Sequence, residues 1–182
     1  MSSAGKLNFY VFCALSQFSF GTAMMDYFLV YPSRALVGNE EFVAYHALLE
    51  GAIIPVSVVP FFIITIQNVF LFWSRPANVE KGLVVVSLCC LLLDWLSSIF
   101  IQIPMNLQLN QGKDMALIEE IMVTNWGRVF LESTQAVTVL VMMLKGGADE
   151  KRPIHWQEKN PKPQIVERKW KEQFTTPYTR TR

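Results

Sequence analysis

The sequence has few charged residues and very few of the side chains that most often bind metals. Only 17% of its 182 residues are charged, whereas 52% are hydrophobic and the mean hydropathy is +0.28. Such a composition is too apolar for an ordinary soluble domain. One histidine, His46, lies in the apolar part of the chain, and the other, His155, lies near the C-terminus. A haem held by two histidines is therefore excluded, because these residues fall on opposite sides of a membrane in the topology derived below.

Several other motifs are also missing. The three cysteines, Cys13, Cys89 and Cys90, lie in apolar runs without a Cys-x-x-Cys spacing, so neither a disulfide framework nor a zinc site is indicated. No glycine-rich phosphate loop or serine-nucleophile motif occurs. Basic residues are too sparse for a nucleic-acid surface. We therefore expect no cofactor, no metal and no nucleic acid, although a carboxylate-rich centre at Asp26, His46 and Glu50 stays open on residue types alone.

Four apolar stretches are each long enough to cross a bilayer as a helix, which needs about 20 mainly apolar residues. They lie at about residues 7–31, 47–73, 82–103 and 115–144. The sequence therefore predicts an all-α fold over residues 1–147, a four-helix transmembrane bundle in contact with the lipid bilayer. Residues 148–182 follow as a charged, proline-punctuated polar tail.

The basic residues that flank these stretches predict the orientation of the bundle. One side of a four-span topology would carry Lys6, Arg75, Lys81 and Lys145, whereas the other side would carry only Arg34 and Lys113. Lysine and arginine are enriched on the cytoplasmic side of membrane proteins. We therefore expect a multi-pass protein whose N- and C-termini, including the C-terminal tail, are both cytoplasmic.

The C-terminal tail is too short and too polar to bury a core of its own. Within it, Val166, Trp170 and Phe174 recur every four residues among basic side chains. A short amphipathic helix at this place would lie on anionic lipid or dock against a membrane protein partner. A solvated tail is the alternative interpretation.

Polar residues recur at helical spacing in or beside each apolar stretch. Ionisable groups are costly inside a membrane, so each is a candidate for a functional role. Spacings of three and four residues place them on one side of a helix, which we expect to face the inside of the bundle. The polar positions are Ser16, Ser19, Thr22 and Asp26; His46, Glu50 and Ser57; Ser87, Cys90, Asp94, Ser97 and Ser98; and Asn125, Arg128, Glu132 and Gln135.

A rise of about 1.5 Å per residue puts most of the charged groups in the half of the bundle away from the cytoplasm. Because an unpaired charge there is very unfavourable, Asp26, Glu50 and Glu132 are the expected ion partners of Arg128. Together with Asp94, Asn106, Asn125 and Trp126, these residues are expected to form one polar pocket. Such a cluster could join the helices, bind a small molecule or conduct protons, although the cytoplasmic half has too few ionisable groups for a continuous path.

Three short motifs mark the ends of the apolar stretches. Asp26 leads into Tyr31-Pro32, Ile103-Pro104-Met105-Asn106 ends the third stretch, and Asn125-Trp126-Gly127-Arg128 opens the membrane part of the fourth. Their order resembles the anthrone oxygenase-like family of four-helix membrane proteins, many of which have no assigned function. The resemblance covers about residues 8–144. It implies oxidation of a polycyclic anthrone to a quinone by molecular oxygen, without an obvious metal or flavin.

The resemblance also implies roles for particular residues. The catalytic candidates are Glu50 or His46 as the base that removes an acidic proton, with Arg128 and Asn106 stabilising the resulting enolate oxygen. The ligand-binding candidates are Asp26, Asp94, Asn125, Trp126 and Glu132. The sequence thus predicts an intramembrane pocket that binds or oxidises a small aromatic or quinone-like molecule, and leaves open whether the protein is an enzyme. The alternative is a non-catalytic accessory or structural subunit of a larger membrane complex.

Overall fold

The computed structural model describes residues 3–150, with the side chains of residues 3–147, and this part of the chain contains helices and no strand. The first long helix comprises α1 (Ser3–Met25), a π-helical turn (Asp26–Val30) and α2 (Tyr31–Leu36). The second comprises α3 (Asn39–Ile53), a π-helical turn (Ile54–Val58) and α4 (Val59–Ser74).

The other two long helices follow after short connections. The third comprises α5 (Lys81–Ser97), a π-helical turn (Ser98–Gln102), α6 (Ile103–Gln108) and a 3-10 turn (Leu109–Gln111). The fourth is the uninterrupted α7 (Met115–Glu150). The predicted polar tail, with its amphipathic segment, lies outside the described residues apart from the helical backbone at 148–150.

Three of the long helices are long and apolar enough to cross a membrane: Asn39–Ser74, Lys81–Gln111 and Met115–Gly147. The prediction of an all-α protein with transmembrane helices is confirmed to this extent. The first long helix does not reach the same hydropathy, because polar residues such as Gln17 and Thr22 interrupt its apolar sequence. All four helices extend past the predicted stretches, which covered only their most apolar parts.

Each of the three π-helical turns lies directly before a proline-containing turn of α-helix. Each turn ends two residues before a proline, namely Pro32, Pro60 and Pro104. Proline has no N–H to donate, and its ring clashes with the carbonyl four residues earlier. A local change to wider hydrogen bonding accommodates both effects, so the helix continues through the proline instead of ending there.

The bundle has two ends, which we name by their connections. The distal end carries the connections at 37–38 and 112–114, and the proximal end carries the connection at 75–80. At the distal end, Lys113 Nζ donates to the carbonyl oxygens of Ala35 (2.8 Å) and Val37 (2.6 Å), and so caps the end of α2, where backbone carbonyls lack partners within the helix. At the proximal end, Gly146 lets α7 approach Phe9 of α1 closely, because a Cβ at this position would lie 2.8 Å from the Phe9 ring.

Two apolar clusters enclose a polar layer. The proximal cluster is formed by Phe9, Phe12, Cys13, Ile64, Leu71, Val79, Val84, Leu91, Val139 and Met142. The distal cluster is formed by Tyr31, Phe42, Met105, Leu109, Ile118 and Ile121. Between them along α1, α5 and α7 lie the polar stripes. The expectation that these stripes face inward is confirmed by the burial of Ser16, Asp94 and Glu132, among others.

Candidate functional site

The polar layer is organised around Arg128, on α7. Its Nε donates to Oδ1 of Asp94 on α5 (3.0 Å), and its Nη2 lies 3.4 Å from Oε1 of Glu132. Its Nη1 lies 3.5 Å from the side-chain oxygen of Asn125. Asn125, Arg128 and Glu132 reach one another because spacings of three and four residues place them on one face of α7. We call these four residues the Arg128 cluster.

Two small cavities border the Arg128 cluster. The first is lined by Ala23, Asp26, Asn125, Arg128, Val129 and Glu132, and has a volume of about 10 Å³. The second, also of about 10 Å³, is lined by apolar side chains and by Ser19, Cys90, Asp94, Glu132 and Gln135. Each has room for about one water molecule. Neither can hold an aromatic ligand in this conformation.

A second set of polar contacts lies at the distal end and centres on Asn106, on α6. Arg34 on α2 donates from Nη1 to Oδ1 of Asn106 (2.7 Å). His46 on α3 has its Nε2 3.0 Å from the backbone oxygen of Asn106. The Asn106 amide donates to the backbone oxygen of Gln102 (2.7 Å), and the Gln102 amide donates to Thr124 Oγ1 on α7 (3.1 Å). We call Arg34, His46, Gln102 and Asn106 the distal network.

Aromatic rings and a carboxylate border the distal network. Phe42 stacks on His46 with ring centroids 5.8 Å apart, and the Arg34 guanidinium lies 5.1 Å from the centre of the Tyr31 ring. Glu50 lies one helical turn after His46, and its Oε1 is 3.5 Å from His46 Nε2. Glu50 remains partly exposed, whereas His46 is fully buried. The network thus has an apolar surrounding and one carboxylate that reaches the surface.

Three buried polar atoms of the distal network have no hydrogen-bond partner within the part of the chain that the structure describes. They are Nε of Arg34, Nδ1 of His46 and Oε1 of Gln102. The exposed fractions of these three residues are 3%, 0% and 3%, so bulk water does not reach them. Buried polar groups in proteins are almost always hydrogen-bonded, because leaving one unpaired costs about 1–3 kcal/mol. The network therefore keeps unused hydrogen-bonding capacity at three buried atoms: a donor on Arg34, an acceptor on Gln102 and a ring nitrogen of His46.

The predicted site residues fall into two groups instead of one pocket. His46, Glu50 and Asn106 lie together at the distal network. Asp94, Asn125, Arg128 and Glu132 form the Arg128 cluster, and Asp26 lines its first cavity. Trp126 belongs to neither group, since it is 55% exposed and packs against Tyr27 on the outside of the bundle (4.6 Å between ring centroids).

The expected ion partners of Arg128 need correction. Glu132 is a partner, as predicted, but Asp94 makes the shorter contact and was not among the expected partners. Glu50 is not a partner: its contacts in the described part of the chain are His46 and Asn110, both 3.5 Å away. Asp26 shares a cavity with Arg128 without a hydrogen bond between them among the described contacts.

Sequence reasoning missed Arg34 and Gln102. Arg34 was counted as a residue of an exposed connection, yet it is buried and reaches Asn106. Gln102 lies four residues before Asn106 and eight after Asp94, so helical spacing places it on the same face. This spacing lies within the predicted third stretch, so the signal for Gln102 was present in the sequence and was overlooked.

Comparisons with protein-family models, with curated proteins and with solved structures found no match to this chain. The resemblance of its three short motifs to the anthrone oxygenase-like family stays a prediction.

Proposed function

We propose that this chain is a four-span integral membrane protein that binds a small, largely apolar molecule through a polar group at the distal network. The first long helix serves as the fourth span in this proposal. No charged residue occurs between Lys6 and Asp26, and that stretch is about 28 Å long as a helix. This length is close to the thickness of a bilayer core, which is about 30 Å.

The charge distribution supports a cytoplasmic proximal end. Lys6, Arg75, Lys81 and Lys145 lie at this end, whereas the distal end of the described chain carries only Arg34 and Lys113 as basic residues. An excess of basic residues outside the membrane favours the cytoplasmic side. In this orientation the distal network lies in the non-cytoplasmic half of the bundle.

The ligand proposal depends on a single observation, the three unpartnered polar atoms of the distal network. Phe42 of the distal cluster stacks on the His46 ring. Ligand sites typically combine apolar walls with a few polar groups in this way. The family resemblance would add oxidation of the bound ligand. Analysis of the products formed in the presence of oxygen tests whether this oxidation occurs.

Gentle detergent purification followed by native mass spectrometry tests the binding proposal. We expect the wild-type chain to retain a small apolar molecule that organic extraction releases. Asn106→Leu removes the centre of the distal network and should lose this molecule. Asn125→Leu, a matched change in the Arg128 cluster, should retain it. A folded wild-type chain that carries no such molecule, and gains none from a membrane-lipid extract, would overturn the proposal.

The second candidate is a non-catalytic subunit of a larger membrane complex. The observation that favours it is the Arg128 cluster, where paired side chains and water-sized cavities suit a structural role. The same mass spectrometry distinguishes the two functions. A subunit should appear with protein partners and without a small-molecule adduct. The C-terminal tail, predicted to contact such partners, lies outside the described residues.

A further inference from the structure

We propose that the Arg128 cluster contains a reversible proton-binding site, in which Glu132 carries the proton and Asp26 connects it to the distal surface. This inference goes beyond the proposed function, because it concerns the other polar region of the bundle and needs no ligand at the distal network. It follows from the charges, the burial and the two cavities of this region.

The charges around Arg128 do not balance. Its guanidinium makes a two-point contact with Asp94, with Nε 3.0 Å and Nη2 3.5 Å from the two carboxylate oxygens. Glu132 approaches the same Nη2 at 3.4 Å. The Asp26 carboxyl lines the first cavity and has no ion pair in the described part of the chain. One guanidinium therefore serves three carboxyl groups, and only Asp94 has a close pairing with it.

Burial determines which of the other two carboxyl groups takes up a proton. Asp26 is partly exposed, so water can solvate its charge. Glu132 is 6% exposed and lies thirteen residues before Lys145 on α7, about 20 Å into the bundle. A charge at this depth is costly unless it has its own counter-charge, and the guanidinium is already paired with Asp94. The neutral, protonated form of Glu132 avoids this cost.

The other elements around Glu132 bring no second cation to it. In the described part of the chain, α4 contributes apolar side chains to the second cavity, and α5 contributes Asp94 and the thiol of Cys90. Tyr31 of α2 lies within electrostatic range. Thiols and phenols are ordinarily uncharged at neutral pH. The charged groups that face Glu132 are therefore Arg128, Asp94 and Asp26, and two of these three are negative.

The two water-sized cavities meet at Glu132, which lines both of them. A water molecule in the first cavity has the carboxyl groups of Asp26 and Glu132 on its walls, and it can pass a proton between them. In this step an O–H bond on Asp26 breaks, the proton crosses the water, and an O–H bond on Glu132 forms. Negative charge moves from Glu132 to Asp26, so the step needs no oxidant.

The site exchanges protons with the distal side of the bundle. Asp26 belongs to the π-helical turn that leads into α2, and its partial exposure gives the first cavity a titratable group at the surface. On the other side, the second cavity ends at Gln135, which donates to Ser16 Oγ (3.2 Å). The proximal cluster that follows contains no carboxylate among its described residues. The arrangement therefore stores a proton and does not conduct it across the bundle.

Glu132→Gln tests the proposal, because glutamine has the shape of neutral glutamic acid and does not titrate. Unfolding of the purified full-length chain in mixed micelles gives the unfolding constants of wild type and variant at several pH values. Above about pH 5 an unfolded glutamic acid is ionised. If folded Glu132 keeps its proton, the unfolding constant of wild type should rise relative to the variant by about tenfold per pH unit between about pH 5 and 7. Glu119→Gln, at an exposed position of the same helix, should follow wild type.

Infrared spectroscopy of the folded chain provides a second measurement. A protonated carboxyl group has a carbonyl band that a carboxylate lacks, and labelling of glutamate with carbon-13 assigns this band without any substitution. We expect one such glutamic acid band at neutral pH, lost in Glu132→Gln. Asp26→Asn should keep the band and slow its response to a pH jump by more than about tenfold, because a positioned acid–base group accelerates proton transfer at least this much. Asp114→Asn, at an exposed distal position, should respond like wild type.

The two measurements separate the two parts of the proposal. A ratio of unfolding constants that stays level between about pH 5 and 7, or a neutral-pH spectrum without a glutamic acid band, would overturn proton binding by Glu132. Arg128 would then hold two ionised carboxylates. An unchanged response to the pH jump in Asp26→Asn would overturn the role of Asp26. If Glu132→Gln does not fold, the spectrum of the labelled wild-type chain decides the question alone.

Discussion

Arg34 and Arg128 are both arginines of long helices of the bundle, yet their surroundings differ in kind. Arg128 contacts two carboxylates and an asparagine oxygen within 3.5 Å, and the cavities beside it hold about one water molecule each. Arg34 contacts the neutral Asn106 and leaves its Nε without a partner. The paired contacts of Arg128 are typical of a structural contact between helices, whereas Arg34 keeps unused hydrogen-bonding capacity, on which the proposed ligand site depends.

The difference follows from the position of each arginine in its helix. Arg128 lies well inside α7, where Asp94 of α5 and the next turn of its own helix supply the counter-charges. Arg34 lies near the end of α2, two residues before the helix ends at Leu36. Arg34 therefore has no following turn on its own helix to supply a counter-charge, as Glu132 does for Arg128.

The largest effect is expected from Arg128→Met. This change leaves Asp94 and Glu132 buried without their cation, and breaking a buried ion pair in this way typically costs about 3–5 kcal/mol. Unfolding of the purified protein in mixed micelles, followed by circular dichroism, measures the change. The double variant Arg128→Met with Asp94→Asn should recover part of the loss. No recovery would mean that charge pairing is not what stabilises this cluster.

A smaller effect is expected from Arg34→Met. The variant loses the hydrogen bond to Asn106, worth about 2 kcal/mol for a charged donor, and removes a buried cation without a carboxylate partner, which partly offsets the loss. We therefore expect a free energy of unfolding reduced by less than about 2 kcal/mol in the same micelle assay. Ligand binding, in contrast, should be lost. If Arg34→Met destabilises the fold as much as Arg128→Met, the two arginines have the same role.

Much of the Arg128 cluster could be predicted from sequence, because the information is local to one helix. The spacing from Arg128 to Glu132 places them one turn apart, and α7 is a regular helix. Asp94 could be recognised as a buried charge, but its contact with Arg128 depends on how α5 packs against α7. No pattern within either helix determines that packing, so the shorter of the two contacts was not predicted.

The distal network was only partly predictable, and the reason is proline. The first and third apolar stretches were expected to end at Tyr31 and Ile103, each followed directly by proline, since residues before proline disfavour the helical conformation. In the structure, the π-helical turns allow both helices to continue, to Leu36 and to Gln108. Arg34 and Asn106 therefore lie on helices, and not in exposed connections.

Two buried glutamines, Gln135 near the Arg128 cluster and Gln102 in the distal network, differ in how well their polar atoms are paired. Gln135 donates to Ser16 Oγ (3.2 Å). Neither of its polar side-chain atoms is among the buried atoms of the described residues that lack a hydrogen-bond partner. Gln102 has one satisfied and one unpartnered atom. Replacement by methionine, which has a similar shape, should cost about 1 kcal/mol more at Gln135 than at Gln102. Thermal unfolding of both variants in one detergent checks this order, and a larger loss at Gln102 would contradict it.

The smallest effect is expected at the proximal end, where Lys145 forms an exposed ion pair with Glu80. Lys145 holds the pKa of the Glu80 carboxyl below its ordinary value of 4.5. Because the pKa is lowered in the folded state, the pair's contribution is present above about pH 4.5 and disappears as the pH falls through the lowered value. Exposed pairs contribute little and are screened by salt. Glu80→Gln should therefore unfold almost like wild type at neutral pH and low salt, and identically in strongly acidic buffer or high salt. A large difference that persists in high salt would show that Glu80 stabilises the bundle through more than this exposed pair.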